Sequence, residues 1–254
     1  MKVSTGRPPA DADIGALPAG WQGWAAITPG RLYYGGRIGA AGLHAHHAAQ
    51  LMIGDGDELV LRDADGAEHV MTAAFIPANT PHAIVHGAAD GLLALIDPAQ
   101  AGPARAHPHA RSAAGWPIEL DVPAGRDLPT LHALADRLTG AAPPRPRHPA
   151  LVHATQVIAA LLPARVRLAE VARAVHLSDS RLSHLFTSEL GLPFRPYVLW
   201  MRLRAALSSL SGGALLTEAA HAAGFADAAH LTRVVRRMMG QAPSTLTAGV
   251  RWLT

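Results

Sequence analysis

The feature that most constrains the fold is a helical pattern that occurs twice in the C-terminal part of the chain. In residues 168–191, a short segment with an apolar stripe is followed by a break, an N-capping Ser178 and a second amphipathic segment that ends at a glycine. Residues 215–240 repeat this order, with Asp227 as the cap and Gly240 at the end. Two short helices joined by a tight turn are typical of a helix-turn-helix unit. The sequence therefore predicts two such units in tandem.

The two copies can be aligned residue by residue. Before the cap the offset is 48 residues, as Ala172 and Ala220 show, and after the cap it is 49. Two similar hairpins in an unrelated helical domain would share the apolar stripe but not the order of turn, cap and terminal glycine. A long helix over residues 194–210 is predicted between the units and would fix one relative to the other. The aligned positions of the second helix are Leu182, Leu185, Phe186, Leu190 and Gly191, which correspond to Leu231, Val234, Val235, Met239 and Gly240.

Charge is distributed unevenly along the 254 residues. Residues 151–254 contain 11 arginines and 5 acidic residues, a net charge of +6, whereas residues 1–150 contain 11 basic and 14 acidic residues, a net charge of −3. This asymmetry suggests a polyanionic partner for the basic half. The chain has no cysteine, which excludes disulfides and thiolate ligands. It also lacks a signal-peptide pattern and an apolar run long enough to span a bilayer, so a cytoplasmic location is expected.

The N-terminal part has the pattern of short strands separated by turns. Two of the strands flank Asp63-Ala64-Asp65-Gly66, which is a hairpin-turn sequence. Several short strands at this spacing predict an antiparallel sandwich or barrel. The predicted organisation is an N-terminal tail (1–30), a strand domain (31–126), an amphipathic helix (127–140), a Pro-rich linker (141–150) and a helical domain (151–254).

The amphipathic helix has two interpretations. Its leucines, among them Leu131, Leu134 and Leu138, fall on one face. They could form a homodimer surface, since a dimer lets two DNA-binding domains engage paired half-sites. They could equally pack on the outside of the chain's own strand domain.

The motifs of the helical half resemble those of a known family. The segments HLSDSRLSHLF and GLPFRPYVLWMRLRAAL, and then Gly224-Phe225-x-Asp227 with Arg233, Gly240 and Pro243, are similar to the AraC/XylS family of transcriptional regulators over about residues 150–250. The resemblance implies two helix-turn-helix units joined by a linker helix, with recognition helices in successive major grooves on one face of the DNA.

The resemblance also implies which residues of the first recognition helix contact DNA. Ser180, Ser183 and His184 correspond to the base-reading positions of the family. Arg181 lies beside them and is expected to contact a phosphate.

The second recognition helix offers fewer polar groups at the corresponding positions. Arg233 can donate two hydrogen bonds to guanine or contact a phosphate. Ala228 and Ala229 carry no donor and can at most touch a thymine methyl group. The two arginines that follow are interpreted either as phosphate contacts or as solvated charges. The candidate residues are Ala228, Ala229, Thr232, Arg233, Arg236 and Arg237.

A histidine-rich segment of the strand domain resembles the two cupin motifs. In GAAGLHAHHAAQ, the side chains of His44, His46 and Gln50 have the same parity along a strand, and PANTPH places His82 at the start of a later strand. Gln50 stands where the first motif has glutamate, and Asn79 where the second has glycine. The resemblance implies a small β-barrel in which His44, His46, Gln50 and His82 hold a divalent metal ion, either zinc, nickel, iron or copper. The same residues could instead hydrogen-bond an organic effector.

Taken together, these patterns predict an α+β multidomain protein with an N-terminal cupin-like antiparallel β-barrel and a C-terminal all-α double helix-turn-helix domain. The predicted function is that of a sequence-specific DNA-binding transcriptional regulator whose cupin-like domain senses a small molecule or a metal ion. The expected partners are promoter or operator DNA, that effector, RNA polymerase and a second copy of the chain, and no membrane. The alternative is a metal-dependent cupin dioxygenase or isomerase fused to a DNA-binding module. Because the strand half offers no distinct acid/base pair, no catalytic residue is predicted.

Overall fold

The N-terminal part of the chain is built from strands. The computed structural model describes residues 20–54, 56–97, 112–122, 125, 127–139 and 147–253. In chain order the N-terminal strands of these residues are β1 (Gln22–Thr28), β2 (Arg31–Ile38), β3 (Ala41–His44), β4 (Ala49–Gly54), β5 (Leu59–Asp63), β6 (Glu68–Met71), β7 (Ala73–Ile76), β8 (His82–His86) and β9 (Ala88–Ile96).

The C-terminal part is helical up to its last few residues. No helix of the described residues is long and apolar enough to cross a membrane. A single strand, β10 (Val250–Leu253), ends the described chain. The helices are α1 (Leu128–Thr139), α2 (Pro149–Leu161), α3 (Leu168–Ala174), α4 (Asp179–Leu190), α5 (Phe194–Ser211), α6 (Leu216–Ala222), α7 (Ala228–Met239) and α8 (Pro243–Thr247).

The strands form two sheets that face each other. One has the order β10-β1-β2-β9-β4-β7 and the other the order β3-β8-β5-β6. All described pairs are antiparallel except β1 with β10, which are parallel. Leu59, Leu61 and Ile84 of the smaller sheet pack against Met52 and Leu93 of the larger one. Burial of these apolar side chains between the two layers holds the sandwich together.

The described residues form three hydrophobic cores. The first lies between the two sheets and continues into the second half of α5 and into α6 and α7. The second is formed by α2, α3, α4 and the first half of α5. The third lies between the outer face of the larger sheet and α1. The second helix-turn-helix unit therefore shares a core with the strand domain, whereas the first unit has a core of its own.

The amphipathic helix α1 packs on its own chain. Leu131 and Leu134 are fully buried, and Leu138 is partly buried, against strands of the larger sheet. The Tyr33 hydroxyl lies 2.9 Å from Nδ1 of His132, and Arg31 pairs with Asp136 at 2.7 Å. The leucine stripe is thus used within the chain and does not supply a dimer surface. The homodimer itself stays a prediction.

The structure confirms the division into a strand-rich and a helical domain, and it corrects three details of it. Residues 22–28 of the predicted tail form β1, because pairing with β2 buries Ala25 and Ala26. The described strands form two sheets instead of a closed barrel, and the β7 edge is covered by the segment around Pro117. The helical region, in which no strand is predicted, ends in β10. Most of the predicted linker, residues 141–146, lies outside the described residues.

The predicted turns and caps are confirmed in detail. The β5–β6 hairpin forms, and Oδ1 of Asp63 accepts hydrogen bonds from the backbone of its turn. Ser178 and Asp227 cap α4 and α7 by accepting from the backbone N–H groups three residues on, at 3.2 and 2.6 Å. Gly191 and Gly240 end these helices in the left-handed conformation, which glycine adopts at little cost.

Candidate nucleic-acid interface and histidine cavity

The first recognition helix, α4, presents its predicted contact residues to solvent. Leu182, Leu185 and Phe186 face inward and are buried, so the remaining positions point outward. The side chains of Ser180, Arg181, Ser183 and His184 lie on the open side of the helix, three of them exposed and Ser183 half-buried.

The second recognition helix, α7, has the same amphipathic construction. Arg233, Arg236 and Arg237 are exposed, and Ala229 is exposed beside them. Thr232 donates its hydroxyl hydrogen to the carbonyl of Ala228 at 2.8 Å, which ties that side chain to its own helix. The cationic groups that remain free to approach a phosphate or a base edge are therefore the arginines.

The two helix-turn-helix units touch at the turn of the second one. A Cβ atom at Gly224 would lie 2.2 Å from the carbonyl oxygen of Pro163, which follows α2 of the first unit. The φ angle of Gly224 is +79°, a conformation that side-chain-bearing residues rarely adopt. Arg202 of α5 donates to the carbonyl of Ala164 at 3.1 Å. These contacts and the continuous helix α5 set the spacing of the two recognition helices.

A buried carboxylate joins α5 to the strand domain. Asp97, which follows β9, is buried and accepts hydrogen bonds from Nε1 of Trp200 at 3.0 Å and from Nη1 of Arg204 at 3.1 Å. Arg204 also donates to the carbonyl of Thr28 at 3.0 Å. Because a buried charge is stable only when it is paired and hydrogen-bonded, this cluster favours a docked arrangement of the two domains.

The end of α7 rests directly on β3. The backbone N–H of Ala45 donates to the carbonyl of Arg237 at 3.4 Å. A Cβ atom at Gly240 would lie 2.7 Å from the carbonyl oxygen of Gly42 and 2.8 Å from Nδ1 of His44. Only glycine permits this approach, so the recognition helix ends in contact with a predicted metal ligand.

The structure brings the predicted histidine set together. One potential ligand atom each from His44, His46 and His82 lies within 4.8 Å of the others, and all three residues are buried. His44, at the end of β3, is the cross-strand partner of His82 at the start of β8. Oε1 of Gln50, on β4, lies 2.7 Å from Nε2 of His46.

Backbone carbonyls orient all three imidazoles in the same sense. Nδ1 of His44, His46 and His82 contacts the carbonyl oxygens of residues 42, 48 and 80 at 2.8, 2.7 and 2.8 Å. A carbonyl only accepts, so each Nδ1 donates and each Nε2 keeps its lone pair. Metal-binding histidines are oriented in this way by the hydrogen bond of their other nitrogen. Nε2 of His82 is buried without a hydrogen-bond partner.

Burial keeps these imidazoles neutral. It lowers the pKa of His46 to about 4, lowers that of His44 and places that of His82 well below its ordinary value. The Nε2 atom of neutral His46 therefore faces Oε1 of Gln50 with two lone pairs opposed. A cation between them, or the rotated amide, removes this repulsion. Four such donor groups fit a divalent transition metal ion.

A cavity of about 70 Å³ lies beside this set, between the strand domain and the second unit. His44, His46 and Gln50 form its polar end. The C-terminal domain contributes much of the remaining wall, through Leu207, Met239, Gln241, Leu246, Val250 and Trp252. Their place in this wall could not be predicted from the sequence, because it depends on how the two domains pack.

Comparisons with known proteins agree with this architecture. The sequence model of the family described as "Helix-turn-helix domain" matches residues 171–249, which include both units. A comparison with curated proteins gives no match.

Among solved structures, the chain is similar to structures of ToxT from Vibrio cholerae. The structure of wild-type ToxT with a bound unsaturated fatty acid is 11% identical, with 88% of this chain and 98% of that chain covered and a TM-score of 0.56. ToxT bound to (E)-4-(8-methylnaphthalen-1-yl)but-3-enoic acid is 10% identical, with coverage of 86% and 98% and a TM-score of 0.55. An AraC-type DNA-binding transcriptional regulator from Chromobacterium violaceum is 25% identical, with coverage of 39% and 90% and a TM-score of 0.38.

The ToxT structures share the two-domain fold over nearly the whole chain, and the family match falls on the duplicated unit. The turn, caps and terminal glycines of that unit have the geometry expected from the AraC/XylS pattern. Residues 171–249 are therefore a helix-turn-helix domain of the matched family, and the chain shares the two-domain fold of ToxT.

Proposed function

We propose that the protein regulates transcription by binding double-stranded promoter DNA through α4 and α7, in response to a ligand held in its N-terminal domain. The observation that carries this proposal is the pair of capped helices that present Arg181, His184 and Arg233 to solvent. The net charge of +6 in residues 151–254 supports a polyanionic partner. RNA polymerase and a second copy of the chain remain proposed partners.

The test of the DNA interface uses the full-length chain and a DNA site selected by it from a random pool. Arg233→Ala and His184→Ala should each weaken specific binding by about 1–3 kcal/mol, because each removes a donor from a base edge or phosphate. Arg62→Ala and His153→Ala are matched controls, since both are exposed and lie off the recognition helices. Wild-type affinity of both test variants for specific and random DNA would contradict the assignment.

We also propose that His44, His46 and His82 hold a divalent transition metal ion, either zinc, nickel, iron or copper, with Gln50 as a further oxygen donor. The common orientation of the three imidazoles and the unpaired Nε2 of His82 support this. Gln50 is a neutral donor, weaker than the glutamate of the cupin motif. When bound, the ion would supply a positive charge at the wall of the cavity.

The metal proposal is tested by elemental analysis of protein reconstituted with each metal and freed of excess. His46→Ala and His82→Ala should lose most of the bound metal, while His86→Ala, on the same strand as His82, should retain it. Gln50→Glu should hold the metal more tightly, because a carboxylate offsets the charge of the ion. Equal metal content in all five proteins, or no metal in the wild type, would contradict the proposed metal site.

We propose that the N-terminal domain senses a small molecule and does not catalyse a reaction. ToxT, with the same fold, has been solved with carboxylic acids bound, which supports a small-molecule effector for this chain. Among the described residues, those lining the cavity include no carboxylate that could serve as an acid or base. The rival, a cupin dioxygenase or isomerase, requires turnover of a small molecule by the metal-loaded protein and is tested by product analysis.

A further inference from the structure

The cavity between the strand domain and the second unit contains several buried N–H groups without a partner. Nε1 of Trp21 and of Trp252 and Nε2 of Gln241 are buried and make no hydrogen bond, and all three residues line the cavity. Nε2 of Gln50, at the polar end of the cavity, is also buried without a hydrogen-bond partner. Buried polar groups are nearly always paired, so a cluster of unpaired ones at one cavity points to a molecule that pairs them.

Two of these unpaired atoms, the indole nitrogens of Trp21 and Trp252, can only donate a hydrogen bond. An indole has one N–H and no acceptor, so the two tryptophans leave no choice of assignment. Trp21 is 9% exposed and lines the cavity from the strand domain, and Trp252 lines it from the other domain. A ligand that satisfies these indoles must offer oxygen acceptors.

The rest of the cavity limits the size and polarity of the ligand. Its volume is about 70 Å³, roughly half of the 150 Å³ or so that holds a benzene molecule. Leu93, Leu95, Leu246 and Val250 give it apolar walls. Among the described residues, no lysine or arginine lines it, so a multiply charged anion such as phosphate would lack countercharge.

We infer that this cavity binds a short-chain carboxylate. Its oxygens accept hydrogen bonds from Trp21, Trp252 and Gln241, and its short hydrocarbon part packs on the leucines. This inference rests on the proposed function, because the cation at the three histidines supplies the countercharge that a buried carboxylate needs. The cavity is too small to enclose a long-chain fatty acid.

The ligand is placed to act on the second recognition helix. Met239, the last residue of α7, lines the cavity, and Gln241 follows two residues later. Trp252 lies on β10, which pairs with β1. A carboxylate bound here therefore contacts both domains at once and favours the docked arrangement of α7 on β3. By linkage, the ligand must change DNA affinity by the same factor by which DNA changes ligand affinity.

The test is calorimetric titration of the full-length protein with propionate, propionamide, 1-propanol and octanoate, each on metal-loaded and metal-free samples. Propionate is expected to bind the metal-loaded protein more tightly than the other three. Trp252→Phe keeps the ring but removes the N–H, and should weaken propionate binding about tenfold or more, as should Gln241→Ala. The matched controls Trp24→Phe and Gln156→Ala, outside the cavity, should bind propionate as the wild type does.

The outcomes separate this inference from the metal proposal. Equal binding of propionate and octanoate, or wild-type binding by Trp252→Phe and Gln241→Ala, would overturn the inference even if metal is present. If elemental analysis finds no metal, the metal proposal fails. If the metal-free protein then binds neutral propionamide and this binding depends on Trp252, the cavity is a ligand site, but its ligand is not a carboxylate.

Discussion

The two helix-turn-helix units are similar in sequence but differently embedded. The first is built on a core of its own, formed by α2, α3, α4 and the start of α5. The second contributes Leu231, Val234 and Val235 to the core that also fills the space between the two sheets. Near-equivalent sequences thus give one unit that has its own core and one that shares a core with the strand domain. A change in the N-terminal domain can reach α7 through its contact with β3. It can reach α4 through α5 and through the hydrogen bond that Nδ2 of Asn79 donates to the carbonyl of Gly191 at 3.4 Å.

The largest expected effect comes from cutting the polar contact that joins α5 to the strand domain. Asp97→Ala should destabilise the protein by about 3–5 kcal/mol, because it leaves Arg204 and the N–H of Trp200 without their buried partner. Urea unfolding of the full-length chain measures this. Glu68→Ala, which removes the exposed partner of Arg62, is the control and should cost at most about 1 kcal/mol. Similar losses for the two variants would mean that the Asp97 cluster does not hold the domains together.

The difference between the cores can be tested with the equivalent leucines of the two recognition helices. Leu182→Ala and Leu231→Ala each delete a fully buried side chain and should each cost about 2–5 kcal/mol. The two variants should perturb different parts of the protein. Leu231→Ala should alter the near-ultraviolet signal of the tryptophans in the shared core, among them Trp21 and Trp200, whereas Leu182→Ala should not. Identical spectral changes in the two variants would contradict the separation of the cores.

The smallest effects are expected at the two turns. His176 and Gly224 are equivalent positions with φ angles of +56° and +79°. Gly224→Ala should cost about 1–3 kcal/mol, because the new methyl group meets the carbonyl oxygen of Pro163 and the backbone is strained. His176→Gly should stabilise the protein by at most about 1 kcal/mol, since relief of the left-handed strain is offset by the flexibility of glycine in the unfolded chain. Thermal unfolding of both variants measures the difference, and a larger loss for His176→Gly would show that the turns are not equivalent.

The sequence alone was sufficient to predict the features that depend on local pattern. The apolar spacing around Leu182 and Leu231, the caps Ser178 and Asp227 and the terminal glycine Gly240 all appear at the predicted residues. Helix periodicity and capping are set by interactions within a few residues, so they can be read without knowledge of the fold. The hairpin turn that begins at Asp63 follows the same rule.

The histidine set is an intermediate case. Its members were identified from the motif, but the predicted continuous strand from His44 to Gln50 does not form. The chain leaves the smaller sheet after His44 and enters the larger one at Ala49, so His46 lies in the connection between the two. Convergence of the side chains depends on the two sheets facing each other, which strand parity alone does not determine.

Only the tertiary structure decided how the two domains meet. β10 was missed because a four-residue strand at the end of a helical region carries little local signal, and it is stabilised by β1, more than 200 residues earlier. Asp97, Gln241 and Trp252 each look unremarkable in sequence, and their roles arise from partners on the other domain. Local pattern fixed the elements and the candidate ligands, whereas the shared core and the donor-lined cavity follow from packing between residues far apart in the chain.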